Sequence, residues 1–438
     1  QKLVVVSIIL LLNLLTTIAQ NAFGPQQIIT TEADYAQSVY AADINNDGNM
    51  DILSVSQSDE KIAWYQNDGT GNFGAQQIIT TEVNYAQSVY AADIDNDGNI
   101  DVLSASFSDD KIAWYQNDGT GNFGSQQIIT TNADGAQSVY AADINNDGDI
   151  DILSAFDNKI AWYQNDGMGN FGTQQIITTE ANGAYDVYAA DINNDGNIDV
   201  LSASYEDNKI AWYQNDGMGN FGTQQIITTE VNGAYDVYAA DIDNDGDIDV
   251  LSASSNDNKI AWYQNDGMGN FDTQQIITTQ ADRARSVYAT DIDNDGDIDV
   301  LSASNNDNKI AWYQNDGTGN FGAQQIITTD AEEARSVHAA DINNDGNIDV
   351  LSASVGDDKI AWYQNDGTGN FGTQQIITTA VDEATSVYTA DIDNDGNMDV
   401  LSASFDDNTI AWYQNDGTGN FGTQQIITTN ANEATSVY

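Results

Sequence analysis

Asp43-Ile44-Asn45-Asn46-Asp47-Gly48-Asn49-Met50-Asp51 is a nine-residue acidic loop, and it returns seven more times along the chain. The second copy reads Asp93-Ile94-Asp95-Asn96-Asp97-Gly98-Asn99-Ile100-Asp101. Oxygen-bearing side chains hold loop positions 1, 3, 5 and 9, and Gly holds position 6. Hard cations such as Ca²⁺ take six to eight oxygen ligands at about 2.3–2.6 Å. Alternate placement lets one tight turn aim several oxygens at one centre, and the Gly allows a bend that a side chain would obstruct. Each loop therefore reads as one Ca²⁺ site.

The side chains so placed are Asp43, Asn45, Asp47 and Asp51 in the first copy, and Asp93, Asp95, Asp97 and Asp101 in the second. Asp143, Asn145, Asp147 and Asp151 follow, then Asp191, Asn193, Asp195 and Asp199. The fifth and sixth sets are Asp241, Asp243, Asp245 and Asp249, and Asp291, Asp293, Asp295 and Asp299. Asp341, Asn343, Asp345 and Asp349, and finally Asp391, Asp393, Asp395 and Asp399, complete the array. A single Asp/Asn turn needs no metal. Eight loops that keep Asp at positions 1, 5 and 9 are hard to explain without one. Loops with Asn at position 3 carry less charge and are expected to bind more weakly than the five-Asp loop Asp241–Asp249.

The loop is one part of a longer repeat. The Phe that opens each copy falls at 23, 73, 123, 171, 221, 271, 321, 371 and 421, a period of 50 with one copy of 48. One period holds four strand-like runs: Ser38–Ala42, Asp51–Ser56, Lys61–Gln66 and Gln76–Thr81. The connectors are rich in Asp, Asn and Gly, which suits tight hairpins. Apolar residues fall on both faces of the runs, as in Ile62-Ala63-Trp64-Tyr65, so both faces of each sheet should be covered. Short strands at this period predict an all-β fold, a β-propeller of four-stranded antiparallel blades. Closure removes exposed sheet edges, and no polar capping repeat is visible. Eight blades are favoured by direct count, with seven plus an overhanging repeat as the alternative. Residues 23–31 and 423–430 could compete to complete the same sheet.

The pairing of Ala91-Ala92-Asp93-Ile94-Asp95-Asn96-Asp97-Gly98-Asn99-Ile100-Asp101 with the later Gln116-Asn117-Asp118-Gly119-Thr120-Gly121-Asn122-Phe123-Gly124 resembles a VCBS or FG-GAP repeat, related to the blades of the integrin α-subunit propeller. The resemblance covers roughly residues 23–438. It implies a β-propeller with Ca²⁺ in the hairpin between the first and second strands. In the first copy it adds the backbone carbonyl of residue 49 to the four side-chain ligands. The Gly-Ala-Pro element of FG-GAP is missing and Pro25 is the sole proline, so the VCBS variety is the closer match. EF-hand loops place Glu at position 12 between helices, which this pattern does not.

Asp+Glu number 68 against Lys+Arg 11, a formal net charge of −57, and much of this acidity sits in the loops. Such a balance argues against nucleic acid, whose phosphates need clustered Lys and Arg, and against anionic lipid. A hydrophobic share of 40% and eight regularly spaced Trp point to a packed fold rather than a disordered acidic tract. Cysteine is absent, so neither disulfides nor thiol chemistry is available. Residues 1–19 read as a signal peptide. Lys2 leads the apolar run Leu3–Leu12, and Thr17-Ile18-Ala19 suits cleavage. The propeller would occupy 20–438 and the protein would be secreted or held at the cell surface, without membrane insertion after cleavage. The start at Gln1 and the end midway through a first strand suggest a longer parent chain.

Catalysis needs one asymmetric constellation of groups, and near-identical copies offer none, so no enzyme is expected. His338 replaces a Tyr found in other copies and reads as a tolerated change. The Trp series (Trp64, Trp114, Trp162, Trp212, Trp262, Trp312, Trp362, Trp412) reads as packing between blades, or alternatively as a sugar-stacking platform. Variation collects in two connectors, one between the fourth and first strands and one between the second and third. Both emerge at the end of the blade opposite the acidic loop. The varied face is therefore the expected contact surface for a protein or glycan partner, with Arg283, Arg285, Arg335, Tyr35, Phe107 and Tyr205 as candidate contacts. The expected function is an extracellular calcium-binding adhesion scaffold. A multivalent lectin, or a non-catalytic appendage of a larger enzyme, is the alternative.

Overall fold

The computed structural model describes residues 27–30, 36–56, 60–69, 73–393, 395–405, 408–421, 425–431 and 436–437. The leader expected over residues 1–19 lies outside them, as does Tyr35. Among the described residues no helix is long and apolar enough to cross a membrane.

Each repeat folds into its own antiparallel sheet, with spatial order equal to chain order. Blade three shows the pattern: Ala136–Ala142, Asp151–Phe156, Lys159–Tyr163 and Gln175–Thr178. The first strand starts two residues earlier than its alternation suggests. A register shift between Ala136 and Ser138 interrupts the period there. The second strand is buried along its whole length and the third almost so, which is why their residues are apolar on both faces.

Eight sheets form, and eight apolar clusters join them. Equal numbers of sheets and junctions mean a closed ring, since an open stack would have one junction fewer. The closing cluster packs Leu401, Ile410 and Trp412 of the last blade against Ile52, Ala63 and Tyr65 of the first. The ring therefore has eight blades, and no repeat overhangs.

At the seam the two ends add strands rather than compete. Gln27–Thr30 lies outside the last blade, parallel to its fourth strand Gln425–Ala431, with Gln27 opposite Gln425 and Ile28 opposite Ile426. Ser436–Val437 lies beside the first strand of blade one, parallel again, with Ser38 opposite Ser436. In both places a stretch of repeat pairs with its own sequence in register.

The first strands of successive blades meet around the centre of the ring. Their aromatic rings stack from blade to blade, Tyr40 on Tyr90 at 5.0 Å and Tyr238 on Tyr288 at 5.4 Å. His338 takes a place in this circle, 5.3 Å from Tyr288 and 4.9 Å from Tyr388, with Nε2 3.1 Å from the Thr389 hydroxyl. Burial pushes its pKa down to about 4, so it stands as a neutral ring among phenols.

The tryptophans pack between blades. Trp212 is 1% exposed and meets Phe271 of the next blade edge-on at 6.4 Å. Its six-membered ring lies under Gly269 of that blade, where an added Cβ would come within 2.1 Å. Gly269 also has φ +76°, a conformation that disfavours side chains. The same contact recurs at Gly219 on Trp162 and Gly319 on Trp262. These rings are unavailable to a sugar. Gly269→Ala is expected to cost about 2–4 kcal/mol by overpacking plus backbone strain, read as a lower denaturant midpoint.

Candidate metal centres

The acidic loop is built from local hydrogen bonds that follow from its sequence. Asn46 and Gly48 both adopt left-handed backbone, at φ 56° and 88°. Asn tolerates this region and Gly adopts it freely. The bend turns successive amides inward. Asp43 accepts from the Asp47 amide at 3.1 Å and from the Gly48 amide at 2.9 Å. Asn45 accepts from the Asp47 amide at 3.0 Å, and Asp47 from the Asn49 amide at 3.0 Å. The side chains at positions 1, 3 and 5 thus turn back over one hairpin, as the spacing predicts.

Position 9 joins the loop to the sheet. Asp51 begins the second strand and is fully buried. Its two oxygens accept from the Ile44 amide at 3.1 Å and from the Asn67 amide at 2.7 Å. Burial pushes its carboxyl up to about 7, although both backbone bonds pull the other way. The same holds at Asp101, Asp151, Asp199, Asp249, Asp299 and Asp349, and Asp399 is pushed to about 8. Burial, followed by the charge at position 5, also raises Asp95, Asp243 and Asp293.

The donor set fits a hard divalent cation. Ligand oxygens of Asp93, Asp95 and Asp101 lie within 4.8 Å of one another, as do those of Asp241, Asp243 and Asp249, of Asp291, Asp293 and Asp295, and of Asp391, Asp393 and Asp399. These are the four loops with Asp at position 3. Buried Oδ1 atoms of Asp95, Asp241, Asp243, Asp291 and Asp293 have no hydrogen-bond partner. An orphaned buried carboxylate oxygen is costly unless a cation or proton takes it. In the fifth and sixth loops two such oxygens stand beside a third carboxylate, an acceptor-only cage of the kind Ca²⁺ occupies. In the Asn loops the position-3 oxygen accepts from the position-5 amide, as at Asn45, Asn145 and Asn343.

Three sets of contacts were not foreseen. The third strand's trailing Gln reaches the loop, and its target depends on position 3. Gln116 and Gln264 donate to Asp95 and Asp243, whereas Gln66 and Gln164 reach past Asn to Asp47 and Asp147. Asn117 is buried and its amide joins two blades. It donates to the Ile100 carbonyl of its own loop at 2.8 Å and to the Ile44 carbonyl of the preceding loop at 2.6 Å. The Asn at loop position 4 reaches forward, as Asn46 donates to Asn99 and Asn96 to Asp149. Adjacent loops are therefore linked twice, once under the surface and once on it.

The second acidic motif, the Gly-rich turn, has a different use. Asp118 accepts from the Thr120 hydroxyl at 2.6 Å and from the Asn122 side chain at 3.1 Å, which holds its carboxyl down to about 2. That carboxylate is occupied by its own turn.

On the opposite face, Phe107 is partly exposed and Tyr205 half-buried. Arg283 donates to Asn305 at 3.2 Å, and Arg285 lies 4.4 Å over the Tyr235 ring. Arg335 is half-buried.

The family described as FG-GAP-like repeat matches residues 43–104, 93–154, 143–202, 191–252, 241–302, 291–352, 341–402 and 393–438. Comparison with curated proteins finds no match. Among solved structures, an Agrocybe aegerita lectin described as recognising non-reducing terminal N-acetylglucosamine is similar at TM-score 0.53 and 18% identity, covering 78% of this chain and 94% of its own. The Vibrio cholerae biofilm matrix protein Bap1 is similar at TM-score 0.44 and 15% identity, covering 95% of this chain and 85% of its own.

Proposed function

For a chain that belongs to the FG-GAP-like repeat family and closes into eight blades, we propose the function of an extracellular calcium-binding scaffold that attaches partners through its varied face. The observation that supports it most is the convergence of orphaned carboxylate oxygens in loops linked into one circle. Ca²⁺ would be held by the side chains at positions 1, 3, 5 and 9, with the residue-49 carbonyl and its equivalents as a further donor. When bound, it neutralises each loop and contributes its binding energy to the fold. The chain's own residues do the rest. Asn117 and its equivalents hold neighbouring loops in register, and the disc presents connectors from eight blades on one side. Repetition of such sites favours multivalent attachment. Export agrees with this reading, because extracellular modules bind Ca²⁺ at about 10⁻⁴–10⁻³ M. The module acts by binding, without catalysis of its own.

Glycan is the second reading of the partner. The Agrocybe aegerita lectin shares the fold and is described as binding a terminal sugar, and aromatic side chains of the varied face are accessible. Native mass spectrometry in millimolar calcium is expected to count eight ions per chain, one for each loop. A count of zero would end the scaffold reading. A count of four would restrict the metal to the loops with Asp at position 3. Retention on immobilised glycans and on extracellular matrix proteins, with and without chelator, then separates lectin from protein adhesin.

A further inference from the structure

One copy breaks the repeat. Its connector between second and third strands is two residues shorter. Phe156-Asp157-Asn158-Lys159 stands where blade two has Ser106-Phe107-Ser108-Asp109-Asp110-Lys111. The hairpin closes tightly, with Phe156 opposite Lys159 and Asp157 at φ 45°.

The shortening has two consequences on the varied face. In blade two, the Phe107 ring leans over the next blade, 3.2 Å from where Gly135 would carry a Cβ. In blade four, the Tyr205 ring lies 3.0 Å from the corresponding point at Gly233. Blade three has no aromatic ring at that place, and at the corresponding point of blade four, Gly183, only Glu206 of that same blade comes near, its side chain at 2.8 Å. The charge pattern changes as well. In blades two and four to seven the lysine that opens the third strand pairs with the Asp two residues before it, as in Lys111–Asp109 at 2.8 Å and Lys209–Asp207 at 2.7 Å. Lys159 lies instead 5.5 Å from the Phe156 ring centre, and among the described residues no ion pair joins it to Asp157. What remains is a depression of about 480 Å³, flanked by Phe107 and Tyr205 and lined between them by Asp134, Asp157, Asn182 and Glu206.

We propose that this depression is a single carbohydrate seat that takes a neutral or amino-bearing pyranose. The proposal rests on the reading of the varied face as the partner face. The volume lies in the range of small-molecule sites. An aromatic ring carries negative charge on its face, which favours the slightly positive C–H face of a sugar. Carboxylates and side-chain amides spaced around the same floor accept and donate to ring hydroxyls, and the ionised acceptors make the stronger bonds. No lysine or arginine lines the depression, and the chain carries a net charge of −57. Uronates and other acidic sugars are therefore repelled. The seat is single because only blade three is short, in contrast to the repeated calcium loops.

The test titrates the full chain, in millimolar calcium, with methyl glycosides of glucose, galactose, mannose, N-acetylglucosamine, glucosamine and glucuronic acid. At least one neutral or amino glycoside is expected to bind at one site per chain, and the glucuronide is expected not to bind. Phe107→Ala should weaken binding about tenfold. Lengthening the Asp157-Asn158 turn by two residues should abolish it, with the calcium count and melting temperature unchanged. A stoichiometry of eight, or binding indifferent to both changes, would overturn the proposal. So would capture of oligolysine but of none of the neutral or amino glycosides. If a glycoside binds and Arg335→Ala rather than Phe107→Ala removes it, the seat is wrong while the varied face stands as the partner face.

Discussion

Stripped of divalent cation at pH 8, the chain is expected to melt about 10 °C or more below its calcium-loaded form. At a calcium concentration ten times the dissociation constant, each loop contributes about 1.4 kcal/mol by mass action. Eight loops sum to roughly 11 kcal/mol, against an unfolding entropy of about 0.8 kcal/mol per degree for a fold of this size. The pH dependence has a definite sign. The position-9 carboxyls are pushed up to about 7 in the metal-free fold, above the ordinary Asp value of 3.8. A group whose folded pKa is raised favours the fold when protonated, and that contribution is lost as pH rises through the raised value. The calcium-free protein should therefore grow more stable as pH falls from 8 to 5, and the calcium-dependent increment should shrink over the same window. Differential scanning calorimetry with and without chelator at pH 5, 6.5 and 8 measures both. Equal melting temperatures at pH 8 would remove the structural role of the metal.

Asn215→Ala is expected to destabilise the ring by about 4 kcal/mol. The Asn215 side chain is fully buried and makes four bonds. Its amide donates to the Ile144 carbonyl of the preceding blade at 2.5 Å and to the Ile198 carbonyl of its own loop at 2.9 Å. Its oxygen accepts from the Gly217 and Gly219 amides at 3.2 and 3.1 Å. Alanine leaves two carbonyls and two amides without these partners, and each buried unsatisfied group costs about 1–3 kcal/mol before relaxation and water entry. A second effect separates this role from simple packing. Ile144 lies between the loop residues Asp143 and Asn145, so calcium affinity of the preceding loop should fall as well. Denaturant unfolding and calcium titration of the variant measure the two effects. A loss below about 1 kcal/mol would mean that the carbonyls find other partners.

Much of this architecture was legible because its cause is local. Positions 1, 3 and 5 are fixed by one bend, and that bend is written in Asn46 and Gly48. The third strand's apolar run announces burial on both faces. The contacts that remained illegible join residues from different blades. Asn117 is 73 positions from Ile44, and nothing in the sequence around either marks the other. The invariant Gln-Asn-Asp-Gly stretch was visible as a turn. Its Asn could have been suspected of more, because a turn alone tolerates Asp or Ser at that place. The start of the first strand was missed for a different reason. The shift at Ala136 to Ser138 takes the strand out of alternation. The Gln66 series could not have been assigned, since its target changes with a single atom type at position 3.

At the seam, Gln27 to Thr30 lies beside an identical stretch, and Phe73 meets Trp412 much as Phe271 meets Trp212. The junction where the covalent chain is interrupted thus uses the same contacts as the junctions it crosses. Only the added strands Gln27–Thr30 and Ser436–Val437 set the last and first blades apart from the others. The contacts between wedges do not depend on which two the backbone joins, so a circularly permuted gene opened at a connector of the varied face should specify the same disc.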